Sequence, residues 1–407
     1  MERRDFLKSS MALAAGATLP ALAVAAESGS ANQQGTDNPV VKKYRPLGKT
    51  GINMGDISFG AGKLSSSSMV LRAIDRGMNY FDTAPDYGSS ETLIGEAMSR
   101  FKQREKIHIA SKYCSPDPYP AHLPAGSPVA DYIASVDASL KRMNLDYLDV
   151  IFVHAIGEKS TSLEEEQKRL LDDNMLTATE TLKKAGKVRN LAVSSHGPNN
   201  LEPLLLTAVK SGHFDLIMTA FNFMKFPKLP EVIQTASEQG VGVIAMKTLA
   251  GAKESHVEAG NALFEHAAFR WVLKHPQVAG LVVTIKNVEH LNLYLQASGT
   301  TFTAADQRTL DRYAALHGQS YCRTGCGDCM AACPQGVDVA NILRYQMYFE
   351  DYGDEKRAMQ QYAALTRSAA PCLECQQPLC TATCDHGLPV ADKLQAAHRT
   401  LSFATVA

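Results

Sequence analysis

From Lys43 onward the chain alternates two kinds of hydrophobic spacing. Short β-branched and apolar runs fall at Asp56–Gly60, Asn79–Thr83, Ile107–Tyr113 and Tyr147–His154, then at Val188–Ser195, Phe214–Asn222, Val241–Lys247 and Gly280–Ile285. Each is followed by residues with helical spacing, as in Ser90–Phe101, Val129–Met143 and Asn199–Ser211. Runs such as Asp149-Val150-Ile151-Phe152-Val153 are apolar without alternation, as parallel strands covered on both faces must be. Eight strand–helix units in succession predict an α/β fold, a closed (β/α)8 TIM barrel over residues 43–317. No Gly-x-Gly-x-x-Gly turn follows an early strand, which counts against an open dinucleotide-binding sheet. Two connections exceed what a barrel needs: 114–127, with Pro116, Pro118, Pro120 and Pro124, and the charged stretch 156–173. Long loops after barrel strands lie over the active-site face, so both are expected to shape a substrate opening; solvated decoration is the alternative.

The pattern breaks at both ends. Arg3-Arg4-Asp5-Phe6-Leu7-Lys8 leads into an Ala-rich apolar run from Met11 to Ala26. Paired arginines before such a run read as a twin-arginine signal peptide, 1–26, with small residues for cleavage at Ala23-Val24-Ala25 or Val24-Ala25-Ala26. Glu2 stands where such signals usually carry Ser or Thr. Gly16 and Pro20 interrupt a run barely long enough to span a bilayer, so cleavage is expected and no stable membrane span remains. This route exports proteins already folded, here to the periplasm. Residues 27–42 are polar and read as a linker.

Composition adds little to the barrel and much to the tail. The 407 residues are 45% hydrophobic and 20% charged, ordinary for a globular protein of more than one domain. A net charge of −1 offers no basic excess for nucleic acid or an anionic membrane. The nine cysteines are uneven: Cys114 stands alone and eight lie between Cys322 and Cys384, marking residues 318–407 as a separate, mainly helical module.

Chemistry in a (β/α)8 barrel collects at the C-terminal ends of the strands. Asp82 closes the second strand, Tyr87 follows in its loop, Lys112 closes the third and His154 the fourth. Each alone has a bland reading, but four converging on one mouth form a working set. Carbonyl reduction by hydride transfer puts negative charge on the oxygen and requires a proton donor. A phenol, with a pKa of about 10, is a slow donor near neutrality. An ammonium beside it stabilises phenolate, and a carboxylate fixes the ammonium. Tyr87 is thus the expected acid/base, Lys112 its activator, Asp82 the anchor, and His154 the group that orients the carbonyl.

The stretch from Tyr44 to about Leu295 resembles the aldo-keto reductase family. It opens with Leu47-Gly48-Lys49-Thr50-Gly51, and its centre is Asn79-Tyr80-Phe81-Asp82-Thr83-Ala84, followed by Tyr87-Gly88 and Glu91-Thr92-Leu93-Ile94-Gly95. The resemblance implies that Asp82, Tyr87, Lys112 and His154 are the catalytic tetrad and that NAD(P)(H) lies across the barrel mouth. It assigns the nicotinamide amide to Ser194 and Ser195, the latter in place of the family's Asn, with Asn222 ending the sixth strand. Met246 takes the place of a stacking aromatic residue, and Lys247, Thr248 and Leu249 lie along the pyrophosphate. Gly60 is carried over as a further contact. Near the adenosine phosphate the chain has Lys286 but no Arg, and Glu289 would repel a phosphate, so NADPH preference is not implied.

The tail reads Cys322-x3-Cys326-x2-Cys329-x3-Cys333-Pro334, then Cys372-x2-Cys375-x4-Cys380-x3-Cys384. Two imperfect repeats follow the runs, Val337-Asp338-Val339-Ala340-Asn341 echoing Leu388-Pro389-Val390-Ala391-Asp392. The arrangement resembles two-cluster bacterial ferredoxins, in which the fourth cysteine of each run ligates the other cluster. That analogy implies one [4Fe–4S] cluster on Cys322, Cys326, Cys329 and Cys384, and a second on Cys372, Cys375, Cys380 and Cys333. The x3 and x4 gaps and Asp385 in place of a second proline depart from the ferredoxin pattern. Zinc and disulfides are the alternatives.

The sequence is therefore read as a periplasmic carbonyl/alcohol oxidoreductase with one or two clusters relaying electrons, acting on a small carbonyl or alcohol and served by a redox partner protein. Purely structural clusters, or a non-catalytic redox sensor, are the alternatives.

Overall fold

Alternation along each strand decides what faces the barrel interior. In the computed structural model, which describes residues 38–402 except 118, 159, 225–227, 252–261 and 324, eight parallel strands close on themselves. They are β3 (Ile57–Gly60), β4 (Tyr80–Asp82), β5 (His108–Lys112), β6 (Leu148–Val153), β7 (Val188–Ser195), β8 (Leu216–Ala220), β9 (Gly242–Met246) and β10 (Gly280–Thr284), with β10 pairing β3. An antiparallel hairpin, β1 (Tyr44–Pro46) and β2 (Asn53–Gly55), precedes them. Its Leu47, Ile52 and Met54 fill the lower end of the interior beside Tyr80, Ala110, Val150 and Phe152. The signal peptide and most of the expected linker lie outside the described residues.

The strands match the apolar runs to within one or two residues, since strand ends rather than strand existence depend on local geometry. Because side chains alternate with a period of two, Tyr80 inward puts Asp82 inward, and Ala110 inward does the same for Lys112. Continuing Val150 and Phe152 by two residues brings His154 to the same side, just beyond β6. Pairing sets the heights: Gly60 lies beside Asp82, Asp82 beside Ala110, and Lys112 beside Phe152.

The outer layer is α1 (Ser67–Asp75), α2 (Ser90–Phe101), α3 (Val129–Met143), α4 (Leu163–Leu170), α5 (Asp173–Lys184), α6 (Leu201–Ser211), α7 (Leu229–Gln239), α8 (Phe264–Leu273), α9 (Val288–Leu295) and α10 (Ala304–His317). Polar caps fix several starts. Asp172 accepts from Asn174 and Met175 N–H groups at α5, and Thr303 forms a capping box with Asp306 at α10. The Glu91–Gly95 motif also has a packing meaning. Buried Glu91 accepts from Ser111 Oγ at 2.7 Å and from Arg142 Nε at 2.5 Å. A Cβ on Gly95 would lie 2.3 Å from the Met143 carbonyl oxygen, so only glycine lets α2 sit this close to the end of α3.

Beyond α10 the chain builds a second core. An irregular segment carries the first four cysteines, followed by α11 (Val339–Glu350), α12 (Glu355–Ala363), a 3-10 turn at Ala370–Glu374, α13 (Leu379–Ala382) and α14 (Val390–Leu401). Ile342, Tyr348, Leu388, Val390, Leu394 and Leu401 form its apolar centre. Residues 38–407 nonetheless make one unit by contact, because α11 and α12 lie against the barrel's upper face. No helix among the described residues is long and apolar enough to cross a membrane.

Candidate active site

The inward register delivers three of the four expected residues at one level, and the loop after β4 delivers the fourth. Lys112 Nζ donates to Asp82 Oδ1 at 2.6 Å and to the Thr83 carbonyl at 2.8 Å. The same ammonium lies 5.1 Å from the centre of the Tyr87 ring, whose edge faces His154 at 6.1 Å between ring centres. Lys112 and His154 are only 2% and 1% exposed. Burial dominates the electrostatics. It raises Asp82 against the pull of Lys112, and it drives His154 well below the usual imidazole range, with Lys112 adding to the effect. His154 is therefore neutral. Tyr87 is driven well above the usual phenol range by burial first, then by Asp82, Asp86 and Cys114. Burial outweighs the expected depression by Lys112. Tyr87 rests as a protonated phenol, the state a proton donor requires.

Several neighbours lacked a sequence signal strong enough to single them out. Asp86 Oδ2 lies 3.5 Å from His154 Nδ1, and burial raises its carboxyl to about 6. Asp86, Cys114 and His154 offer ligand atoms within 4.8 Å of one another. Tyr119, from the proline-rich loop, packs its ring edge-on to His154 at 5.4 Å. Asp86 lies between the two quoted family motifs, Asn79–Ala84 and Tyr87-Gly88, and Tyr119 in a loop expected over the mouth, without a role assigned to either. Arg344 and Arg357, from α11 and α12, had no such marker. Arg344 bonds to the His196 carbonyl and approaches Glu158, while Arg357 lies over the Tyr119 ring at 4.2 Å.

The residues that resemblance assigned to a dinucleotide follow or end barrel strands at this same end, Lys286 being exposed just beyond β10. Ser194 Oγ accepts from the Ala155 N–H at 3.1 Å, and Ser195 Oγ donates to the Ile156 carbonyl at 2.9 Å. Ser194 keeps a free hydroxyl proton and Ser195 free lone pairs, the complement of a carboxamide. Asn222 is committed to the fold: its Nδ2 donates to the Lys247 carbonyl and its Oδ1 accepts from the Met224 N–H, both at 2.9 Å. The Lys247 ammonium has no hydrogen bond or ion pair among the described residues and lies over the rings of Tyr348 and Tyr352. Such a half-buried ammonium, whose pKa burial and nearby arginines lower to about 7, suits a phosphate. Met246 and Leu249 are half-buried, Thr248 is buried, and Gly60 is packed against the Val283 backbone. The donor set thus fits a nicotinamide dinucleotide beneath the C-terminal helices.

The eight tail cysteines are free thiols in two groups. Burial raises Cys322 to about 11 and Cys329 to about 12, and Cys384 raises both further; Cys326 is raised to about 12 with Cys322 contributing. These four line one cavity with Leu343 and Leu388. Cys372, raised to about 11 by burial, is influenced by Cys333, Cys380 and Cys375. Tetrahedral zinc, with bonds of about 2.3 Å, needs its sulfurs closer than about 4 Å to one another. Among the described residues no three tail sulfurs lie within 4.8 Å of one another.

Fold and site together define a (β/α)8 barrel with Tyr, Lys, Asp and His at its mouth. The chain belongs to the aldo/keto reductase family, whose model matches residues 53–261, ending before the eight tail cysteines. Residues 1–20 match a twin-arginine translocation signal sequence, a signal for export. L-galactose dehydrogenase from Arabidopsis thaliana is 27% identical over 222 residues, 51% of this chain and 66% of that one. L-glyceraldehyde 3-phosphate reductase from Escherichia coli K12 is 26% identical over 225 residues, 51% of this chain and 62% of that one. In both cases the chain spans less than two thirds of the relative's length. The aldo-keto reductase AKR11C1 from Bacillus halodurans shares the fold, with a TM-score of 0.54 at 21% identity over 66% of this chain and 95% of that one.

Proposed function

We propose that this protein is an exported, periplasmic oxidoreductase that interconverts a small carbonyl compound and its alcohol. The observation that carries this reading is the Lys112–Asp82 bridge set beside Tyr87 and His154 in a buried barrel mouth. A bound NAD(P)H would supply the hydride, held by Ser194, Ser195 and Lys247. As hydride reaches the carbonyl carbon, the phenol of Tyr87 gives its proton to the oxygen, and the reverse direction returns it. Lys112, fixed by Asp82 and the Thr83 carbonyl, stabilises the phenolate that forms. Neutral His154 retains an N–H to hold the carbonyl oxygen in line. The tail, residues 318–407, is read as a domain binding two [4Fe–4S] clusters, on Cys322, Cys326, Cys329 and Cys384 and on Cys333, Cys372, Cys375 and Cys380. They would relay single electrons from a partner protein. The test is anaerobic purification with iron, sulfide and nucleotide analysis, followed by turnover of small aldehydes. Tyr87→Phe is expected to lower turnover by about 10²-fold. Near-normal turnover in that variant, or zinc without sulfide from iron-replete cells, would overturn the reading.

A further inference from the structure

The helices that follow the barrel also bring positive charge to its mouth. Arg357, on α12, lies 4.2 Å from the centre of the Tyr119 ring and 4.8 Å from that of Tyr348. Tyr119 is in turn the ring packed on His154, so the guanidinium stands one aromatic ring from the carbonyl-orienting residue. Cation–π contact stabilises a guanidinium but uses none of its five N–H donors. Arg357 Nε is buried without a hydrogen bond. Its nearest acid, Asp354, lies 3.6 Å away and is already bonded to Lys63. Lys247 adds a second cation nearby, over Tyr348 at 5.4 Å, with no acidic partner among the described residues. The other cations at the mouth are matched, Lys112 by Asp82 and Arg344 by Glu158.

Unused donors on one planar cation, beside a second unpaired charge, form a receptor for an anion. We propose that Arg357 is a substrate-binding residue supplied by the C-terminal segment, and that the substrate carries a carboxylate in addition to its carbonyl or alcohol. A carboxylate matches the guanidinium fork, accepting two parallel hydrogen bonds. A phosphate dianion would meet stronger repulsion from Asp86, which lies 3.5 Å from His154; a single negative charge suits the site better. The inference rests on the carbonyl–alcohol reading for the reacting end of the substrate, but the carboxylate contact is measurable without turnover.

The experiment uses the full-length, cluster-loaded protein. Turnover is compared for 4-oxobutanoate and butanal, which differ by the carboxylate, and succinate binding is measured by calorimetry. Wild type should favour 4-oxobutanoate through KM. Arg357→Gln should raise KM at least ten times more for 4-oxobutanoate than for butanal and weaken succinate binding at least tenfold. Arg357→Lys, which keeps the charge but not the fork, should show a smaller loss of both, with iron content and far-UV circular dichroism as checks on folding; it decides the matter if the glutamine variant does not fold. Equal treatment of the two aldehydes by wild type, or succinate binding unchanged in the lysine and glutamine variants, overturns the proposal. If neither aldehyde is turned over but succinate binding depends on Arg357, the carboxylate site stands and the carbonyl reading fails.

Discussion

His196 Nδ1 lies 2.6 Å from Glu158 Oε1, and Arg344 from the C-terminal segment reaches the same oxygen at 3.5 Å. Glu158 belongs to the loop after β6 and His196 to the end of β7, so one tail arginine ties two barrel loops together. The carboxylate is held far below its usual range because both partners favour the charge more than burial opposes it. Such a buried network stabilises only while complete, since any partner left alone is a desolvated charge.

Arg344→Met is therefore expected to destabilise the protein by about 3 kcal/mol, the usual scale for breaking a buried ion pair. Chemical denaturation followed by circular dichroism would measure it. Adding Glu158→Gln should restore part of the loss, because the stranded charge is then gone; an unchanged or larger loss in the double variant would count against a charge-based coupling of tail to barrel.

Lys112→Met should abolish most turnover, by about 10²-fold, while lowering stability less than a stranded carboxylate would. Burial already raises Asp82, so without its ammonium partner it takes up a proton in place of remaining ionised. Proton uptake on folding, measured near neutral pH, should increase in the variant relative to wild type.

The two cysteine groups predict a crossed pattern of iron loss. Cys322→Ser with Cys384→Ser removes ligands from one group only and should leave roughly four irons per chain. Cys322→Ser with Cys333→Ser touches both groups and should leave none. Iron and sulfide analysis of the two double variants decides between this assignment and one cluster per sequential run, which would exchange the outcomes.

Asp86 gives a pH signature with a definite sign. Its carboxyl is raised from 3.8 to about 6, chiefly by burial, so the folded protein binds more protons than the unfolded chain between those values. Stability should fall as pH rises through that window and level off above it. Glu158 acts oppositely and lower: its contribution is present above its ordinary value of 4.5 and is lost as pH falls toward its depressed folded value. Asp86→Asn should remove the decline between pH 4 and 6, as read from denaturation midpoints; a slope that persists unchanged would assign it to another group.

The barrel and the convergence of the tetrad were legible because both are local. A period of two places Asp82, Lys112 and His154 inward once Tyr80, Ala110 and Val150 are, and apolar runs mark those strands directly. The grouping of Cys384 with Cys322 around one cavity was expected from the likeness to two-cluster ferredoxins, not from any local pattern. What stayed hidden depends on docking. Arg344, Tyr348 and Arg357 lie on helices with ordinary amphipathic spacing, and nothing in that spacing says that one face meets a barrel mouth. Likewise, that burial would outweigh the pull of Lys112 and leave Tyr87 protonated follows from an environment that no motif encodes.

The Arg344–Glu158 contact spans 186 residues of sequence, and that separation is also an interval of time. At roughly 5–20 residues per second of synthesis, a barrel folding as it emerges waits about ten seconds or more for the helices that cover its mouth. During that interval the loops carrying Glu158 and His196 have no arginine between them, and the tetrad stands open to water. Completion of the site is thus a later event in biogenesis than synthesis of the barrel loops, gated by a segment made after them. A protein carrying a signal for export in the folded state leaves with a finished site only if that segment has docked first.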